Sequence, residues 1–232
     1  MMRRRSPYVA VVGAMLLLGA VGVSRAEAAG FEGIIQMVDE SGMDAVTQKF
    51  SFKGEKLRME EVGPHADGSA IIFDGSAKSG LIIDPEEKAY FPLPWPTRTG
   101  EELAAEKNFE VTKLGKQDKV AGQTCELYLE KDKLSGGTTE LCIAKGLGSS
   151  SLFGLSGSDS PVASLLPSWL GEMVKDGAFP IRSIERDKDG KVVSRFYATK
   201  IEAKKVDDKA FAPPAGYRRL SMEEFSPGAD RK

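Results

Sequence analysis

The sequence predicts a mainly β protein with a few helices: an antiparallel sheet curled into a half-barrel of about eleven strands, covered by short helical pieces. Three observations predict it. The stretch from Ser69 to Phe91 holds three short runs rich in Ile and aromatic residues, parted by Asp74-Gly75 and by Asp84-Pro85, which is the punctuation of a meander. Further hairpin-like pairs of runs flank it on both sides without any internal repeat. Only one stretch, 161–176, carries a wide apolar stripe at helical spacing.

Taken in order, Phe31 to Val38 reads as a first strand, and Ser41-Gly42 turns it into a second over 45–53, where Phe50 and Phe52 point the same way. After Lys53-Gly54-Glu55, the run from Lys56 to Val62 alternates: Leu57 and Met59 on one side, Lys56, Arg58 and Glu60 on the other. One face of this early sheet is therefore expected to be wet. In the meander, Ile71 and Phe73 share a face, and so do Leu81 and Ile83. Pro92, Pro94 and Pro96 impose an extended connector that cannot pair as an inner strand, and they hold Trp95 out on it. A short helix over 101–107 and a strand over 109–117 follow.

Two strand-like runs around Cys125 and Cys142 are joined by 131–137, and folding them about Lys133-Leu134 sets the cysteines opposite one another. The Gly- and Ser-rich stretch 146–160 reads as a loop. Beyond it Val162, Leu165, Leu166, Trp169, Leu170 and Met173 fall at helical spacing, broken by Pro167 into two pieces. This element reads either as core packed on the sheet or as a lid over an apolar hollow. A last hairpin runs from Phe179 to Glu202 across Asp187-Lys188-Asp189-Gly190, and Phe211 to Tyr217 closes the domain.

The N-terminus has the layout of an export signal: Arg3, Arg4 and Arg5, an apolar run from Val9 to Val23, and Ala26-Glu27-Ala28 as a small-residue cleavage site. The expected organisation is a signal peptide over 1–28, one domain over 29–217, and a polar, disordered tail over 218–232. The apolar run falls short of the roughly 20 residues that a bilayer requires, and no cysteine near the site invites lipid attachment. A soluble periplasmic or secreted product follows. Removal of 1–28, with four arginines and Glu27, shifts the formal charge from -2 to -5. That balance argues against a nucleic-acid partner, which needs clustered positive charge. Two cysteines in an exported chain make a Cys125–Cys142 disulfide the expectation, because a redox pair would want Cys-x-x-Cys spacing.

Catalytic chemistry finds little to work with. His65 is the only histidine, in a polar turn after Gly63-Pro64, and no Gly-x-Ser-x-Gly elbow exists. One histidine and two paired cysteines starve a zinc site. Glu185, Asp187, Asp189 and Gly190 start like a calcium loop, but Phe196 stands where its closing carboxylate should be. The acidic pairs such as Glu60-Glu61 and Glu86-Glu87 sit in turn or surface contexts. The reading is a protein that is not an enzyme and that needs no cofactor or metal.

Several motifs together resemble a known pattern: Phe31-x-Gly33, the Ile72-Phe-Asp-Gly75 to Ile83-Asp-Pro-x-x-Lys-x-Tyr90 meander, Val120-Ala-Gly-x-x-Cys125, Glu140-Leu-Cys-Ile-Ala-Lys145, Phe179-Pro-Ile-Arg182 and Phe211-x-x-Pro-x-Gly-Tyr217. The pattern looks like a family of exported bacterial proteins known as a domain of unknown function. More distantly it resembles the outer-membrane lipoprotein carrier and its relatives. That resemblance implies an open eleven-stranded half-barrel covered by helices, with an apolar cavity for acyl chains. The carrier's Arg-Pro strand motif is absent, so no acyl-latching arginine is transferred. The expected ligand-binding wall comprises Phe50, Phe52, Leu57, Met59, Ile71, Phe73, Leu81 and Ile83, with Trp169, Leu170 and Met173 as cover and Trp95 at the rim. Its ligand would be a lipid, a lipidated peptide or another long apolar molecule. The alternative is an envelope scaffold or stress sensor with a filled core that binds a protein partner.

Overall fold

The computed structural model describes residues 30–94, 99–100, 104, 106–147, 169–170, 173, 177–221 and 224. These build one open, curled sheet of twelve strands: β1 (Gly33–Asp39), β2 (Val46–Lys53), β3 (Lys56–Val62), β4 (Ala70–Asp74), β5 (Ser79–Asp84), β6 (Ala89–Leu93), β7 (Phe109–Val120), β8 (Gln123–Asp132), β9 (Thr138–Ala144), β10 (Phe179–Arg186), β11 (Val192–Ala203) and β12 (Arg218–Arg219). Their order is β12-β6-β5-β4-β3-β2-β1-β11-β10-β9-β8-β7. The mainly β expectation holds. Helical structure among the described residues amounts to 3-10 turns at Glu106–Asn108 and Asp208–Phe211 and short stretches such as Trp169-Leu170. The expected helices over 101–107 and 161–176 fall largely outside the described residues, as do the leader over 1–28 and Trp95.

β1 is the spine. It pairs antiparallel with both β2 and β11, so the first and last long strands of the domain join a meander wing, β2 to β6, to a second wing, β7 to β11. The curl is measurable across this seam. Phe50 and Phe179 stand on strands three places apart, about 14 Å in a flat sheet, yet their ring centroids lie 6.0 Å apart. Phe179 also sits edge-on to Phe52 at 5.6 Å, and Phe50 to Phe196 at 6.2 Å. These rings, with Ile35, Met37, Leu57, Phe73 and Ile181, form the main core on the inner face.

The outer face of the meander wing is also covered. Ala70, Ile72 and Ile83 pack against Val206 and Phe211, with Leu81, Tyr90 and Tyr217 alongside. The strap is pinned by polar contacts: Arg58 donates to the Ala210 carbonyl at 3.1 Å, and Lys53 reaches the Val206 carbonyl at 3.1 Å and Asp208 at 2.8 Å. This corrects the expectation that one face of the early sheet is wet, because the local alternation at Lys56 to Glu60 does not foresee a cover from a distant part of the chain. The strap then rounds the β6 edge. Arg218 and Arg219 add a short parallel strand there, and Leu220 is buried against Ala89 and Phe91. The domain therefore reaches Leu220, past the boundary read at Tyr217. Strand β12 covers Ala89 and Tyr90 only, so Pro92 can sit inside β6 on its unpaired side without leaving a donor missing.

Cys125 and Cys142 form the expected disulfide, with Cα atoms 5.3 Å apart. They are not directly opposed. The β8–β9 pairing sets Leu127 across from Cys142, because the turn centres one residue later than Lys133-Leu134, and the cysteines bond as diagonal neighbours. Beside them on the outer face, Arg182 bridges Asp118 at 2.7 Å and Glu140 at 3.0 Å.

Candidate functional site

The register fixes which side chains share the inner face of the meander wing. Phe50 opposes Met59, Met59 opposes Ile71, and Ile71 opposes Ile82; one step along, Phe52, Leu57, Phe73 and Gly80 form the next row. The second row is closed: Phe52, Leu57 and Phe73 are buried and packed into the aromatic core. Gly80 lets it close, since a Cβ there would press on the Phe73 ring and on Leu93 at 3.0–3.2 Å. The first row is open. Met59, Ile71 and Ile82 are half-buried and floor a cleft of about 350 Å³, whose remaining walls are Gln48, Glu60, Glu61, Asp67, Ser69 and Ala70.

Strands β3 and β4 place this floor because Leu57, Met59, Ile71 and Phe73 alternate toward the inner face while Arg58, Glu60 and Ile72 alternate away. Burial raises the Glu60 carboxyl, but Arg58 and Lys49 both donate to it and hold it below its ordinary value. Glu60 is thus an ionised anchor tied to its own strands. Glu61 and Asp67 stand at the mouth, both exposed.

The other wing has a smaller crevice of about 130 Å³ between Lys113, Glu126, Tyr128, Ile143, Lys145, Met173 and Ala178. Glu126 accepts from Lys113 at 2.7 Å and from the Tyr128 hydroxyl at 3.1 Å, and these bonds keep its carboxyl below the usual range. Nearby, the Trp169 indole donates to Glu130 at 2.8 Å and its ring tilts against Tyr128 at 6.0 Å. Burial pushes the Glu130 carboxyl up.

Of the expected ligand wall, the structure brings only Met59 and Ile71 to the open cleft. Phe50, Phe52, Leu57 and Phe73 belong to the filled core. Leu81 and Ile83 point to the opposite face, beneath the C-terminal strap, because the register sets Ile82 against inward-facing Ile71 and Leu81 against outward-facing Ile72. Trp169, Leu170 and Met173 pack on the inner face of the second wing, away from the cleft lining. Sequence reasoning missed Ile82, Gln48, Glu61 and Asp67. The available signal was Gly80: a glycine two residues before Ile82, facing a phenylalanine, marks the row on which rings crowd. His65 is exposed in the β3–β4 loop, and among the described residues no three His, Cys, Asp or Glu side chains gather as metal ligands.

With this geometry established, the comparisons place the chain. A family model described as a domain of unknown function, DUF4412, matches residues 31–217. The chain belongs to this family. No curated protein matches it in sequence. Among solved structures, an uncharacterized conserved protein from Thermus thermophilus superposes with a TM-score of 0.50 at 8% identity, over 84% of this chain and 92% of that one. MucB of Pseudomonas aeruginosa, solved with MucA, gives 0.49 at 13% identity over 81% of this chain and 57% of its own. A domain assigned to outer membrane lipoprotein sorting, from Vibrio parahaemolyticus, gives 0.31 at 9% identity over 77% and 87%. The chain spans less than two thirds of MucB, and at such identities a likeness concerns the fold alone. No helix among the described residues is long and apolar enough to cross a membrane.

Proposed function

We propose that the chain is an exported, non-catalytic binding module whose site is the cleft on the inner face of β2 to β5. The observation that carries this reading is the contrast within one face: a row of aromatic residues packed solid, and beside it Met59, Ile71 and Ile82 left open over about 350 Å³. Apolar floors with a few polar groups at the mouth are the usual form of a ligand site. At roughly 30 Å³ per non-hydrogen atom, the share of a water molecule, the cleft takes about a dozen atoms. One short alkyl chain or apolar side chain meets that size, so the ligand expected from the carrier resemblance would be held by part of its length. Export is supported by the N-terminal residue pattern and by the Cys125–Cys142 bond, which suits an oxidising compartment.

The test is uptake of the neutral apolar dye N-phenylnaphthylamine, followed by its fluorescence, in wild type and in an Ile71→Trp variant. The wild type binds and the variant, its cleft filled, does not. Equal uptake by both would move the site elsewhere, and no uptake by either would leave a filled-core protein. That second reading, a scaffold that binds a protein partner, draws its support from the packed Phe50, Phe52 and Phe179 rings. It predicts co-purification with a partner and an empty native mass spectrum.

A further inference from the structure

We infer that the cleft selects amphiphiles whose polar end is cationic, an inference that rests on the cleft being the binding site. The floor and the mouth come from the same strands. Glu61 lies two residues beyond Met59, Ser69 two before Ile71, and Asp84 two beyond Ile82, so each strand that supplies a floor residue presents a polar one at the same end of the sheet. Glu61 and Asp67 line the mouth, and neither is ion-paired among the described residues. Asp67 uses one oxygen on the Ser69 amide at 2.7 Å, and Asp84 one on the Glu87 amide at 3.0 Å. Their second oxygens accept nothing from the described residues.

The third lining carboxylate, Glu60, is neutralised by Lys49 and Arg58 on the far side of its strand. Among the described residues no lysine or arginine lines the cleft. The crevice on the second wing, by contrast, has Lys113 and Lys145 in its wall, so the unbalanced negative charge belongs to this mouth and not to the inner face as a whole. An apolar chain lying on Met59, Ile71 and Ile82 brings its polar end to Glu61 and Asp67. An ammonium or guanidinium there meets two uncompensated, exposed carboxylates beside the apolar floor, whereas a fatty acid's own carboxylate meets like charge.

Decylamine, decanol and decanoate share one chain and differ in the charge of the head at neutral pH. Calorimetric titration of the full exported domain with each is the test. At about 0.01 M ionic strength, decylammonium binds on the order of tenfold more tightly than decanoate, with decanol between, since the two mouth carboxylates each act with opposite sign on the two ions. The gap closes at about 1 M, where the screening length falls to about 3 Å. A Glu61→Gln, Asp67→Asn double variant loses most of the gap between decylammonium and decanoate. Equal binding of all three, or preference for decanoate, overturns the charge selection while the cleft stands. Failure of all three, decanol included, overturns the cleft and this inference with it.

Discussion

Replacing Phe179 by alanine tests whether the curl of the sheet is held by a packed interior. Phe179 is 6% exposed and its ring stands edge-on to Phe50 at 6.0 Å and to Phe52 at 5.6 Å. Truncating a buried phenylalanine costs about 3–5 kcal/mol, the transfer of the ring plus the void it leaves. Each lost aromatic pair contributes about 0.5–1.5 kcal/mol beyond its area, which places this site in the upper part of that range. The neighbours cannot easily collapse, because Phe50 and Phe52 are fixed by β2 pairing with both β1 and β3. The measurement is urea unfolding followed by tryptophan fluorescence, comparing midpoints at equal m-value. A loss below about 1 kcal/mol would mean that the rings do not pack as described and that the seam between the wings is hollow. The companion Leu134→Ala, at a site 77% exposed on the β8–β9 turn, should leave the midpoint unchanged.

Reducing the Cys125–Cys142 bond, with its sequence separation of 17, should cost about 3 kcal/mol in the chain-entropy model; urea midpoints with and without reductant read it directly. Glu60 has a folded-state carboxyl held below its ordinary value by Arg58 and Lys49 against the opposing effect of burial. Its contribution is therefore complete above the unfolded carboxylate range and fades as pH falls through the folded value. Glu60→Gln should destabilise by about 1.5 kcal/mol near neutrality, and the difference from wild type should shrink toward the acid end of a series of urea curves. Glu130 has the opposite sign: burial raises it, aided by the charges of Glu106 and Asp132, while Trp169 lowers it less. Its ionised form burdens the fold above the raised value, so Glu130→Gln, which still accepts from Trp169, should stabilise at neutral pH. That gain should vanish as pH falls through the carboxylate range.

The fold was legible where the period-2 pattern and the turns agreed. Lys53-Gly54-Glu55, Asp74-Gly75 and Asp187 to Gly190 all turn where the sequence sets them, and each strand they join appears. The site was less legible, because a strand such as Leu81-Ile82-Ile83 is apolar at every position and either face can claim it. Pairing decides the matter: Ile82 aligns with Ile71 once Asp74 and Ser79 close the hairpin. A run that is apolar throughout signals apolar cover on both faces; here the outer cover comes from Val206 and Phe211, more than a hundred residues away, while Ile82 on the inner face is left half-open. The filled seam was hidden for the same reason. Phe50 belongs to the first hairpin and Phe179 and Phe196 to the last, and only the closure of β1 onto β11 brings Phe50 against the other two.

That distant strap bears on how the cleft could work. The open row on β3 to β5 is backed, on the reverse of the same strands, by Ala70, Ile72 and Ile83 packed against Val206 and Phe211. Hydrogen bonds from Arg58 and Lys53 to strap carbonyls, and from the Val206 amide to Glu32 at 2.9 Å, fix the strap to both ends of this packing. A floor held from behind loses little conformational freedom when a ligand settles on it, so more of the apolar contact appears as affinity. The same arrangement explains why the meander wing can leave one row open without collapsing, since the strap supplies burial on the outer face that an open inner row forgoes. Rigidity behind the floor and aromatic packing beside it confine any opening to the mouth, where Glu61 and Asp67 stand. Any ligand lying on this floor would meet the charge of those two residues at its polar end.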